Sequence, residues 1–318
     1  MNAPRPAVRT VLGDIAPGRL GLCDAHDHLF LRSPLLPGQE LDDEAAAEAE
    51  LRAFAAVGGG AVAQWTPLGL GRRMDLLPRL SAATGVHLIA ATGLHQAAHY
   101  APGRLRRLLP GLAERFVADL TGGAAGAGEA GPAGGAPPVR AGMIKVAGSF
   151  HVLDAHARFV FSAAAEAHHA TGAPIGVHLE GGTAALAVLD ALCGGHGVPP
   201  GSVILGHLNR APDSATHRRA AEAGAYLAFD GPSRAHHATD WRLPECLRAL
   251  VEAGCAERVL IGGDTTTAAA RAATGGGPGM PHLPAGLREG IERELGAEAV
   301  ELFYRRNPAR AFAASWRA

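Results

Sequence analysis

Arg140-Ala141-Gly142-Met143-Ile144-Lys145-Val146-Ala147-Gly148 reads as a short strand with a cation inside it. Lys145 is the one lysine in 318 residues, and the other 28 long basic side chains are arginine. Arginine stays protonated under ordinary conditions. A lysine in a dry site can lose its proton and become a nucleophile or the precursor of a ligand. A stray surface lysine is the ordinary alternative, but an ammonium between Ile144 and Val146 is oddly placed for one. Lys145 is therefore read as functional.

Apolar, β-branched runs of the same kind recur on both sides of it. Eight strands are expected near 21–26, 61–65, 86–92, 141–147, 175–178, 203–207, 225–229 and 259–263. Helical stretches fall between them at 42–57, 74–84, 105–120, 154–171, 182–193, 215–223 and 244–254. Several end in glycine just before the next strand (Gly58, Gly85, Gly172, Gly224, Gly254), a helix C-terminal signal. Alternation of this kind implies parallel strands with crossover helices, and eight units in this length fit a single-domain α/β fold, the closed (β/α)8 TIM barrel. A doubly wound open sheet is the other arrangement, but no GxGxxG follows the first strand. Residues 121–138 are nearly all Gly, Ala and Pro and are expected to form a flexible insertion. Residues 265–286, after the eighth strand, are expected to form a mobile loop over the barrel mouth.

Composition narrows the function. Apolar residues make up 47% and charged residues 19%, enough for a large core and too apolar for disorder. A net charge of −1 gives no general attraction to nucleic acid or an anionic membrane. The four cysteines show no CxxC spacing, residues 1–9 carry no apolar signal core, and no run approaches a membrane span. A cytoplasmic protein acting on a small molecule is expected.

Polar residues close five of the strands. The first ends Asp24-Ala25-His26-Asp27-His28, where alternation points both imidazoles into the barrel mouth. The fourth carries Lys145, the fifth ends in His178, the sixth in His207 and the eighth in Asp264. A lone HxH among sixteen histidines is weak, and His168 and His169 look like helix-surface residues. Five strands each ending in a metal-competent residue are hard to ascribe to chance, because barrel strand ends converge on one face. Four imidazoles, a carboxylate and a lysine around one cavity make a binuclear metal centre. An ammonium cannot bridge two cations. Carboxylated by CO2, Lys145 becomes a carbamate with one oxygen for each metal.

The arrangement resembles the phosphotriesterase-like family of the amidohydrolase superfamily. Flanking segments carry the likeness across nearly the whole chain: Thr10-Val11-Leu12-Gly13, Ala90-Ala91-Thr92-Gly93, Ile144-Lys145-Val146-Ala147, Gly206-His207 and Asn307-Pro308-Ala309-Arg310. The resemblance implies that His26, His28 and Asp264 hold a buried metal, His178 and His207 a more exposed one, and Lys145 both. It implies zinc, with manganese, cobalt or iron also compatible with nitrogen and oxygen donors. It further implies a homodimer, and hydrolysis of an ester-type bond by a hydroxide shared between the metals, with Asp264 as proton acceptor.

The chain departs from phosphotriesterases proper, in which a histidine follows the strand 7 aspartate and a further aspartate follows the strand 6 histidine. Here Gly231 follows Asp230, and Leu208-Asn209-Arg210 follows His207. That proton relay is missing, so organophosphate hydrolysis should be weak and promiscuous. A lactone, phosphorylated or acidic, is the preferred substrate. An amidase or deacylase on the same centre, or a non-catalytic binding barrel, are the alternatives. Arg210 and Arg234, with His236 and His237, can clamp an anion, and His95 and Tyr100 can touch substrate. Trp65, His99, His151 and Trp241 also follow strands or line plausible loops, and Glu180 can bind substrate or cap the next helix.

Overall fold

The computed structural model describes residues 5–123, 138–230, 238–274 and 276–317. Two antiparallel strands, β1 (Ala7–Thr10) and β2 (Gly13–Ile15), come first. Eight parallel strands follow: β3 (Leu22–Asp27), β4 (Gly59–Gln64), β5 (His87–Gly93), β6 (Met143–Ala147), β7 (Ile175–His178), β8 (Val203–Leu205), β9 (Tyr226–Asp230) and β10 (Val259–Gly262). They pair in chain order from β3 to β10. Across the remaining seam, Gly263 N and Asp264 N both donate to His26 O, at 2.9 and 2.8 Å. A Cβ on Gly262 would lie 2.7 Å from that of His26, so only glycine lets β10 close on β3. The result is the expected (β/α)8 barrel. β1 pairs with β2 and with a last strand, β11 (Ala313–Ala314), outside the barrel.

Alternation along each strand sorts the two cores. On β6, Ile144 and Val146 face the helix layer, while Met143 joins an inner cluster with Cys23, Ala63, Trp65 and Ile204. Lys145 therefore points inward. Burying Ile144 and Val146 is worth roughly 3–6 kcal/mol in total, and a one-residue slip of the strand would forfeit it to rescue the amine. In register, Lys145 lies between Gly93 on β5 and Gly176 on β7. A Cβ on Gly93, whose φ is +110°, would run into the Lys145 carbonyl oxygen.

The outer layer includes α1 (Glu44–Ala56), α2 (Leu77–Thr84), α3 (Pro102–Leu108), α4 (Leu112–Thr121), α5 (Ala155–Thr171), α6 (Ala185–Leu189), α7 (Ser214–Glu222) and α8 (Leu243–Glu252). Asp43, Asp154 and Asp213 accept from the first-turn amides of α1, α5 and α7. Gly85 and Gly172 end α2 and α5 in the left-handed conformation. The helix expected over 105–120 is two, α3 and α4. Pro110 cannot donate, and Gly111 turns the chain at φ +62°.

Most of the insertion expected at 121–138 lies outside the described residues, as do Arg234, His236 and His237. In the segment expected as a mobile loop at 265–286, described residues are hydrogen-bonded to α1 and to the turn after β3. Buried Glu50 of α1 accepts from Ala272 N at 3.3 Å, Ala273 N at 2.8 Å and Met280 N at 2.9 Å. Buried Arg271 donates to Leu29 O. Among the described residues, no helix is long and apolar enough to cross a membrane.

Candidate metal centre

All six expected ligands sit at the C-terminal end of the barrel, five of them nearly sealed from solvent and His178 slightly more open. All but His207 line a cavity of about 460 Å³ whose wall also includes Leu31, Leu35 and Pro67. His26 Nε2 lies 3.6 Å and His28 Nε2 3.5 Å from Asp264 Oδ1. His207 Nε2 lies 2.7 Å from His178 Nδ1. Two of these residues have unusual backbones. His207 has φ +65° and Asp264 φ +51°, conformations that cost a non-glycine residue about 1–3 kcal/mol and cluster at functional sites. They also explain why β8 and β10 stop earlier than expected: the chain leaves the strand to turn each ligand inward.

The outer nitrogen of every imidazole is engaged. Asp230 Oδ1 accepts from His26 Nδ1 at 2.9 Å, and Asp230 Oδ2 lies against His207 Nδ1. Glu180 Oε2 lies 3.1 Å from His178 Nε2 and also accepts from Gln96 Nε2 at 2.9 Å. His28 Nδ1 lies 2.7 Å from Thr66 Oγ1, whose own proton goes to Phe30 O at 2.5 Å. With its hydroxyl so committed, Thr66 accepts from His28, and the lone pair of that ring is left on Nε2. Trp65 stacks on His26 with 3.8 Å between ring centroids and donates to Ala25 O. These partners fix tautomer and tilt, as outer-shell groups do for metal-bound histidines.

Electrostatics agree. Burial draws the Lys145 amine down to about 7, against the pull of Asp264 and Glu180. Burial likewise pulls His28 to about 4 and holds His178 and His207 below their ordinary range, so these rings are neutral with free lone pairs near pH 7. Burial works against the Asp230 charge, yet the imidazoles of His207 and His26 hold its carboxyl well below the usual range. The hydrogen bond to His178 holds Glu180 at about 2.

The residues fit a metal. His26, His28 and Asp264 bring ligand atoms within 4.8 Å of one another. His26, His207 and Asp230 form a second such group, but there Asp230 meets the outward nitrogens and acts as a clamp between the two halves. The carboxylate and hydroxyl partners (Asp230, Thr66) escaped sequence reasoning. Asp230 had one legible signal, its place at the end of a strand.

The other expected contacts divide. Buried His95 lies in the cavity wall with its ring 4.7 Å from that of His178. Arg210 also lines the cavity, but its guanidinium pairs with Asp264 Oδ2 and so braces a ligand. Tyr100, expected as a substrate contact, has a hydroxyl that accepts from His95 N at 2.9 Å and donates to Leu68 O at 3.0 Å. It lines a neighbouring cavity, not this one. Trp241 is 76% exposed and His151 is exposed, and neither lines the cavity.

A closed parallel barrel with histidines, an aspartate and a buried lysine at its strand ends defines a metal-dependent hydrolase of the amidohydrolase type. The chain belongs to the phosphotriesterase family, whose model matches residues 6–312, and that family depends on a binuclear metal centre. A phospho-furanose lactonase of Mycoplasmopsis synoviae is 30% identical over 270 residues, covering 80% of this chain and 74% of its own. The N-acetyltaurine hydrolase of Homo sapiens is 27% identical over 327 residues, covering 89% and 90%. The crystal structure of a lactonase from Listeria monocytogenes superposes with a TM-score of 0.86 at 25% identity, covering 96% and 98%.

Proposed function

We propose that this hydrolase opens an ester-type bond, a lactone before others, at two divalent cations spanned by a carboxylated Lys145. One observation carries the reading. All four imidazoles have their outer nitrogens held by protein partners; His26, His28, His178, Asp264 and a buried amine line one pocket, and the inner nitrogen of His207 lies 2.7 Å from that of His178. In this reading His26, His28 and Asp264 hold the buried ion and His178 and His207 the other, with Lys145 reaching both. Zinc is the expected metal; manganese, cobalt and iron suit the same donors. Bound there, the cations supply an activated water near neutral pH and polarise the acyl oxygen.

The protein's own groups do the remaining work. With its pKa near 7, much of the Lys145 amine is uncharged at neutral pH, so its lone pair can add to CO2 and release a proton. Asp264 takes up the proton lost from the attacking water, and the Arg210 guanidinium paired with its Oδ2 keeps that carboxylate oriented. Leu31, Leu35 and Pro67 add an apolar stretch to the cavity wall. With Asp230 occupied by two imidazoles and no histidine after it, organophosphates should turn over weakly.

The lactonase relatives support the lactone. The N-acetyltaurine hydrolase supports a second reading, an amide, which additionally needs a proton delivered to the departing nitrogen. Zinc-loaded protein assayed against matched lactones, N-acyl amino sulfonates and a phosphotriester, with a pH indicator, separates them. Lactones hydrolysed at least a hundredfold faster than the others support the proposal; amides hydrolysed faster than every lactone overturn it.

A further inference from the structure

Beside the metal pocket lies a larger cavity, about 620 Å³, and the His99 ring forms part of both walls. That ring is fixed. Its Nδ1 lies 2.9 Å from Ser33 Oγ, and it stacks on His95 at 4.2 Å between centroids and 13° between planes. A molecule reacting at the metals and longer than the first pocket would pass this pair into the second space.

Three arginines and two carboxylates, Glu40 and Asp75, line that space. Arg32 is neutralised by Asp42 at 2.7 Å and Arg73 by Asp75 at 2.8 Å. Arg104, on α3, has no ion pair among the described residues, and its buried Nε has no hydrogen-bond partner. A Cβ on Gly69 would lie 3.1 Å from that nitrogen, so the backbone gives it room. Arg104 therefore brings a part-buried, unneutralised guanidinium charge to the cavity wall, and a cation withdrawn from water favours an anionic partner. Arg210, which could have served as the anion clamp, is already paired with Asp264.

We propose that the second cavity is a subsite for a terminal anionic group of the substrate, phosphate or carboxylate, bound by Arg104. The subsite deepens the hydrolase reading and rests on it only for the kinetic arm of its test. In that arm kcat/KM is measured for three lactones of one ring type, neutral, carboxylated and phosphorylated. The proteins compared are the wild type, Arg104→Met and Arg106→Met, the last altering an exposed residue of the same helix. Arg104→Met should lower the anionic-to-neutral ratio at least tenfold through KM, and Arg106→Met should keep the wild-type ratio. A fall confined to the phosphorylated lactone assigns phosphate; one confined to the carboxylated lactone assigns carboxylate. A ratio unchanged in Arg104→Met, or lowered equally in Arg106→Met, overturns the proposal. If the wild type hydrolyses no lactone, the hydrolase reading alone has failed, and calorimetric titration with glycerol 3-phosphate and with glutarate decides the subsite. Affinity reduced tenfold by Arg104→Met supports it; absent binding, or equal binding by wild type and variant, overturns it.

Discussion

In the metal-free protein Lys145 should be a burden on stability, and replacing it with methionine should relieve that burden in a pH-dependent way. Burial lowers the amine from an ordinary 10.5 to about 7, and each tenfold change in its proton affinity is worth ~1.4 kcal/mol. Below pH 7 the amine is charged in both folded and unfolded chains, so the folded state carries the full cost of about 5 kcal/mol. Between pH 7 and 10.5 the unfolded chain binds more protons than the folded one. Stability then rises by ~1.4 kcal/mol per pH unit as the buried amine is released from its charge. Lys145→Met should therefore be more stable than the wild type by about 3–5 kcal/mol at pH 6.5, and the gap should shrink to about 2 kcal/mol at pH 9. Urea titrations in chelator and CO2-free buffer at pH 6.5, 7.5 and 9 read the gap directly. A gap that stays flat with pH would refute the reasoning. It would mean that the amine is solvated or paired, and the uncharged form needed for attack on CO2 would have no source.

Thr66→Val keeps shape but strands the His28 Nδ1–H, so affinity for the buried ion should fall about 10–100-fold in chelator competition while the exposed ion is held as before; equal loss of both contradicts this. Asp230→Asn cannot accept from His26 and His207 at once, so it should weaken both ions together, and loss of only one would show that the clamp is not shared. Glu50→Gln sets an amide N–H against backbone donors. It should cost about 2 kcal/mol or more and speed amide exchange at Ala272, Ala273 and Met280; exchange unchanged at all three would show that Glu50 does not hold the segment.

The barrel was legible because its signals are local. Apolar runs repeat eight times, five of the helical stretches between them end in glycine, and strand alternation tells where His26, His28 and Lys145 point. The clustering of the six expected ligands was legible for the same reason, since five of them sit at or near the end of a strand and Lys145 points inward from the middle of β6. What escaped depends on partners far apart in the chain. Nothing near Thr66 says that its hydroxyl is spent on Phe30 O and can only accept from His28. Nothing near Asp230 says that its two oxygens face imidazoles from β3 and from the turn after β8. Nothing near Tyr100 says that its hydroxyl donates to Leu68 O. The break at Pro110-Gly111 was written in the sequence and outweighed by the helical residues around it.

Metal content per chain is the most direct test of the centre. Protein reconstituted with zinc and bicarbonate, desalted and subjected to elemental analysis should hold two ions per chain, and Lys145→Met treated identically should hold fewer than one. One ion in the wild type, or two retained without the lysine, would contradict the account.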